Sequence, residues 1–194
     1  MGTVKHTLIV GEQGVGKSTL IRRVLAALDV TVGGYITRKE DALADPQLGS
    51  PIYIYEAGQP QTQTQDNLVG HCRDQRPLVY PEAFDRFVPK LQNIKARDQD
   101  LILLDEVGTM ETRANTFCPA ILELLDGDTP ILAAVKYKDC PYLEQVRSHP
   151  NCQCFTITEE NRDELFEMVL TVVHQQLICS NGEKKNDDHL PDPA

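Results

Sequence analysis

Two stretches of the chain carry residue types at spacings suited to phosphate chemistry. The first is GEQGVGKS, Gly11 to Ser18, which fulfils the pattern GxxxxGK(S/T). Glycines 11, 14 and 16 open backbone conformations closed to other residues, so successive N–H groups of Gly11, Glu12, Gln13, Gly14, Val15, Gly16, Lys17, Ser18 and Thr19 can turn inward on a β-phosphate. Lys17 is then expected to bridge the β- and γ-phosphates, and Ser18 to offer its hydroxyl to Mg²⁺. The second stretch is LILLDEVGTMET, Leu101 to Thr112, where four apolar residues run straight into Asp105 and Glu106. A carboxylate at the end of a buried strand can reach the same metal, which makes Asp105 the expected magnesium ligand beside Ser18. Glu106, one residue on, is expected to orient or deprotonate the attacking water.

Asp105-Glu106-Val107-Gly108 also fits the DxxG of GTPases, whose glycine amide senses the γ-phosphate. A guanine reader of the NKxD type is missing: Val135-Lys136-Tyr137-Lys138 keeps the lysine but neither the Asn nor the Asp. Exclusive recognition of guanine is therefore unsupported.

The elements that must hold these residues follow from periodicity. An apolar strand, His6 to Val10, precedes the glycine-rich loop, and a helix over 17–28 follows it with Leu20, Ile21, Val24, Leu25 and Leu28 on one stripe. Between about residues 30 and 80, GGYIT and PIYIY read as short antiparallel strands. Phe84, Phe87, Val88, Leu91 and Ile94 have helical spacing. After the acidic strand come a helix over 114–125, a strand over 130–135, a helix over 141–148 and a strand over 152–157. Thr158, with Asn161 three residues on, opens a last helix expected to end near Ile178. Alternation of strand and helix implies a mainly parallel sheet covered on both faces.

Bulk properties narrow the function. A length of 194 residues fits one domain, expected over 1–178, with the polar segment 179–194 expected to be a disordered tail. No run approaches the roughly 18 apolar residues of a membrane span, and the N-terminus lacks a secretory cleavage pattern, so a cytoplasmic location is the default. The net charge of −10 without a basic stripe argues against nucleic acid as the principal ligand. Six cysteines without CxxC spacing read as free thiols rather than zinc ligands. Nothing in the sequence names a protein partner.

Together with GGYITRKE, the YPEAFDRFVPKL helix, ILAAV and FTITEENRDEL, taken in order, these residues resemble the nucleoside-triphosphatase family often called cancer-related or thermophile-type. The resemblance spans about residues 6 to 175; its acidic strand matches a family pattern like DEIGKME, and Thr158-Glu159-Glu160-Asn161-Arg162 matches a late T-x-E-N-R element. It implies an α/β, three-layer P-loop NTPase fold of the RecA-like or ASCE kind with an antiparallel hairpin extension. It also implies slow, Mg²⁺-dependent hydrolysis of ATP, GTP and other nucleoside triphosphates to diphosphate and phosphate, with loose base preference.

One departure stands inside the acidic motif. Where the family usually carries lysine after the glycine, this chain has Thr109, which removes a cation able to steady transition-state charge. Arg38, Arg113 and Arg162 are the candidate replacements, and Glu111 and Asn161 are further candidate site residues at motif positions. The lead-in LVGHCRDQRPLVYPEAF also departs from the family's more regular pattern. Two other functions use the same cradle: a small-molecule or nucleotide kinase, and a nucleotide-binding switch with little turnover.

Overall fold

The computed structural model describes residues 4–96 and 98–187. In chain order its first elements are β1 (His6–Gly11), α1 (Lys17–Ala26), β2 (Val32–Lys39), β3 (Ser50–Glu56), β4 (Leu68–Arg73), β5 (Arg76–Val79) and α2 (Pro81–Ala96). They are followed by β6 (Leu101–Val107), α3 (Phe117–Leu125), β7 (Ile131–Lys136), α4 (Pro141–Arg147), β8 (Cys152–Thr156) and α5 (Arg162–Asp187).

All eight strands join one sheet in the order β5-β4-β3-β2-β6-β7-β1-β8. β8, β1, β7, β6 and β2 pair in parallel, and β3, β4 and β5 extend the sheet antiparallel from β2. The strand before the phosphate loop, β1, and the acidic strand, β6, are therefore not neighbours; β7 lies between them. Parallel strands all end on one edge of the sheet, so Gly11, Asp105 and Lys136 are delivered to the same rim.

Both faces are covered, which is why the central strands read as unbroken apolar runs. Within β6, Ile102 and Leu104 join a core with residues of α2, α3 and α4, while Leu101 and Leu103 join the core under α1 and α5. At about 25 cal/mol per Å² of apolar surface, fully burying one such leucine contributes roughly 2 kcal/mol, enough to pin the register that sets Asp105 and Glu106 at the strand end. Tyr35 of β2 is fully buried and meets Phe87 and Phe117 edge-on at centroid distances of 6.3 and 5.5 Å.

The three-layer α/β architecture with an antiparallel extension agrees with the expectation. Three local readings need correction. β2 is not wholly part of an antiparallel set: it is antiparallel to β3 but parallel to β6, making it the hinge between the two sheet halves. Gly34 allows this, for at φ 105° it has no side chain to collide with the Leu103 carbonyl of β6. α3 begins at Phe117 rather than Ala114, because the Asp85 carboxylate of α2 accepts the N–H groups of Asn115, Thr116 and Phe117 at 2.8–3.1 Å and fixes the helix start from outside. α5 does not end near Ile178; it continues to Asp187, so the first part of the expected tail is helical and residues 188–194 lie outside the described residues. No helix is long and apolar enough to cross a membrane among the described residues.

Candidate active site

The loop from Gly11 to Ser18 joins β1 to α1, and each glycine has its own reason for being there. Gly14 and Gly16 sit at φ 81° and 108°, where a side chain would be strained. Gly11 is different: it has an ordinary φ, but a β-carbon would meet Ile157 and Val15 within 2.9 Å, so space rather than conformation requires glycine. Gly16 is the residue immediately before α1, so the loop's N–H groups lead into a helix N-terminus, where anions are stabilised.

Lys17 is only 5% exposed. Its ammonium donates to the Gly11 carbonyl at 2.9 Å and the Glu12 carbonyl at 2.7 Å, and stands 3.3 Å from Glu106 Oε1. Three donor hydrogens thus meet three oxygens, which satisfies an otherwise costly buried charge. Ser18 Oγ donates to Asp105 Oδ1 at 2.8 Å, joining the start of α1 to the end of β6. Burial raises the pKa of Asp105 above the ordinary carboxylate value; the Ser18 hydrogen bond opposes this, Glu106 adds to it, and Arg22 and Arg38 lower it.

These two oxygens fit a hard divalent cation. Adjacent ligands on an octahedron with metal–oxygen distances of about 2.0–2.1 Å lie about 2.9 Å apart, close to the Ser18–Asp105 separation. No group of three or more His, Cys, Asp or Glu capable of holding a metal occurs among the described residues, so substrate phosphates and water would complete such a sphere.

Beyond Glu106 the chain turns sharply. The Asp105–Glu106 peptide is cis, and the β6–β7 register shifts between Asp105 and Val107. Glu111 folds back beneath this turn, 2% exposed, and accepts the Gly108 N–H at 2.7 Å. Burial pushes its pKa up to about 7, against the lowering effect of that hydrogen bond. The Gly108 amide that a DxxG reading would aim at the γ-phosphate is therefore committed to Glu111. A cleft of about 300 Å³ opens beside Glu106, walled by Gln13, Thr109, Met110 and Lys136, with Ile52 and Phe84 among its apolar lining.

The remaining expected site residues are dispersed. Arg162 lies over the phosphate loop, its Cδ 4.0 Å from where a Gly16 side chain would begin. Asn161 ties β8 to α5: its Oδ1 accepts the Thr158 N–H at 2.8 Å and its Nδ2 donates to the Thr156 carbonyl at 3.0 Å. Arg38 is exposed and bonds Gln61 at 2.9 Å, yet is near enough to lower the Asp105 pKa. Arg113 is exposed on the short turn after Glu111. Thr109 is half-buried in the cleft wall.

Arg22 and Lys136 were not expected at the phosphate site from sequence, although Lys136 was weighed as the lysine of an incomplete NKxD. Arg22 binds the Ser18 carbonyl at 3.2 Å and acts on Asp105; its position four residues after Ser18 on a helix was the available signal. Lys136 ends the apolar run ILAAV just as Asp105 ends LILL, and the two strands are paired.

Comparison with known proteins gives the family and the fold. Residues 6–170 match the family described as NTPase. The nucleoside-triphosphatase THEP1 of Thermococcus kodakarensis is 31% identical over 181 residues, covering 90% of this chain and 97% of the relative. That of Thermotoga maritima is 26% identical over 178 residues, covering 92% and 98%. The crystal structure of THEP1 from Aquifex aeolicus has a TM-score of 0.63 at 22% identity, over 87% of this chain and 98% of that one. The solution structure of a human cancer-related nucleoside triphosphatase gives 0.62 at 24%, over 88% and 98%. With a phosphate loop, a paired serine and aspartate, and a match running from β1 into α5, the chain belongs to the NTPase family of nucleoside triphosphatases.

Proposed function

We propose that the chain is a Mg²⁺-dependent hydrolase that converts ATP, GTP and other nucleoside triphosphates to the diphosphate and phosphate with little preference for the base. The observation that carries this reading is the contact between the Lys17 ammonium and Glu106 Oε1 at 3.3 Å, which brings the phosphate-binding cation and a partly exposed carboxylate of the acidic strand to one point. The cradle engages phosphates, which every nucleoside triphosphate shares, and the segment Val135 to Lys138 does not complete the NKxD pattern that reads guanine.

Ser18 and Asp105 would hold Mg²⁺, whose chemistry is to neutralise charge on the β- and γ-phosphates. Lys17 exchanges its carbonyl and Glu106 partners for phosphate oxygens, which releases the Glu106 carboxylate. Glu106 then accepts a proton from water as the water oxygen bonds to the γ-phosphorus. The bond from that phosphorus to the bridging oxygen breaks, the diphosphate leaves with its electrons, and the proton on Glu106 returns to solvent. A cytosolic location belongs to the same proposal and is supported by six free thiols.

Phosphate release from a panel of triphosphates, with Mg²⁺ or with chelator, tests the reading. Release that depends on Mg²⁺ and varies little with the base is expected; none above a Lys17→Ala control overturns it. A kinase reading is favoured by one feature, the apolar wall that Ile52 and Phe84 give to a cleft larger than a water needs. Diphosphate appearing only when an acceptor is added would select it.

A further inference from the structure

Where the family resemblance implies a lysine after Gly108 the chain has Thr109, and the adjacent strand carries a cation at the same rim. The five residues Ile131 to Val135 of β7 are each 0% exposed, and the strand ends on half-buried Lys136. In register, Lys136 stands opposite Gly11, the first residue of the phosphate loop, while Val135 stands opposite Val107 of β6. Lys136 is thus placed between the phosphate loop and the turn that carries Glu106 and Thr109. Its Cδ is 4.0 Å from where a side chain on Gly108 would begin, and it shares the cleft with Gln13, Glu106 and Thr109.

Two properties mark this ammonium as available to a ligand. It has neither a hydrogen bond nor an ion pair among the described residues, whereas Lys17 nearby is fully engaged by three oxygens. Lys136 is near enough to lower the proton affinity of Glu111, yet the direct hydrogen bond of that carboxyl group goes to Gly108. A half-buried lysine that makes no direct contact with a protein acceptor keeps its ammonium donors open to an anionic ligand in the cleft.

We propose that Lys136, reaching in from β7, replaces the missing motif lysine as the cation that meets the terminal phosphate of a bound nucleoside triphosphate. The inference rests on the triphosphatase reading for its ligand but not on turnover. A lysine at this point distinguishes triphosphate from diphosphate, because only the triphosphate extends a phosphate past Lys17 toward Glu106. It also makes positions 109 and 136 interchangeable sites for one charge.

The test is calorimetric affinity, with Mg²⁺, for the non-hydrolysable β,γ-imido analogue of ATP and for ADP. In Lys136→Ala the analogue should bind about tenfold more weakly, the loss of one charge-assisted hydrogen bond, while ADP changes by less than about twofold. Thr109→Lys added to Lys136→Ala should restore the preference for the analogue. Equal weakening of both ligands, or no weakening of either, overturns the proposal, as does failure of Thr109→Lys to recover any preference. Lys136→Gln, which keeps much of the stem, gives the same readout if the alanine variant does not fold. Should the wild type release no phosphate, the hydrolase reading falls, and the affinity ratio still decides the role of Lys136.

Discussion

Ser18 Oγ donates to Asp105 Oδ1 at 2.8 Å although the residues are 87 positions apart in sequence. The bond joins the two halves of the expected metal site, so removing the charge of one half should expose the contribution of the other. Asp105→Asn keeps an oxygen near Ser18 but loses the negative charge. The Mg²⁺ concentration for half-maximal phosphate release should rise by about tenfold or more, with the nucleotide affinity in the absence of metal little changed. An unchanged Mg²⁺ requirement would remove Asp105 from the metal site.

Glu106 and Lys17 touch at 3.3 Å but are assigned different work, and substitution should separate them. Glu106→Gln should lower kcat by about 10²- to 10⁴-fold while triphosphate affinity stays within a few-fold of wild type, the signature of a lost proton acceptor. Lys17→Ala should lose affinity as well as rate. Single-turnover hydrolysis beside equilibrium binding checks both; a Glu106→Gln enzyme with wild-type turnover would give the base role to another residue.

How much of this was readable beforehand depended on the range of the interactions involved. The phosphate loop was legible because its chemistry is local: Gly14, Gly16, Lys17 and Ser18 all act within eight residues. The acidic strand was legible because burial on both faces left an apolar run ending in Asp105. What pairing decides was not legible. Lys136 could be placed beside Gly108 only once β7 was known to separate β1 from β6. The start of α3 was set by Asp85, about 30 residues upstream, and helical spacing carries no trace of such a cap. Gly11 illustrates the same limit, since the motif gave the residue correctly while the reason, contact with Ile157 after β8, came from the other end of the chain.

Gly34 joins the parallel half of the sheet to its antiparallel extension, and no other residue fits there. At φ 105° a β-carbon would run into the Leu103 carbonyl of β6, backbone that cannot swing aside. Gly34→Ala should therefore destabilise by several kcal/mol, through both strain and loss of β2–β6 pairing. Urea denaturation would report this as a lower midpoint. A midpoint within experimental error of wild type would mean that the sheet junction is far more pliable than its packing indicates.

The buried carboxyl of Glu111 should make stability depend on pH in a direction opposite to most carboxylates. Burial raises its pKa from 4.5 to about 7, so between these values the folded protein holds a proton that the unfolded chain releases. Stability contributed by the protonated acid is present below pH 4.5 and is lost as pH rises toward 7, by an amount on the order of 3 kcal/mol. His6 works in the other direction. Burial lowers its pKa from 6.5 to about 4, so its contribution is present above pH 6.5 and is lost as pH falls toward 4. The two slopes oppose each other through the shared window, and the wild type should vary little there. Glu111→Gln keeps a side-chain oxygen for the Gly108 N–H but cannot ionise, which leaves the His6 slope exposed. Denaturation at pH 5 and pH 6.5 should then show the variant gaining stability with pH where the wild type does not. Above pH 7 the variant should exceed the wild type, provided the new amide hydrogens are accommodated. Parallel stability curves for the two proteins across pH 5 to 8 would show that Glu111 is ionised throughout, and that its hydrogen bond from Gly108 outweighs the cost of burial.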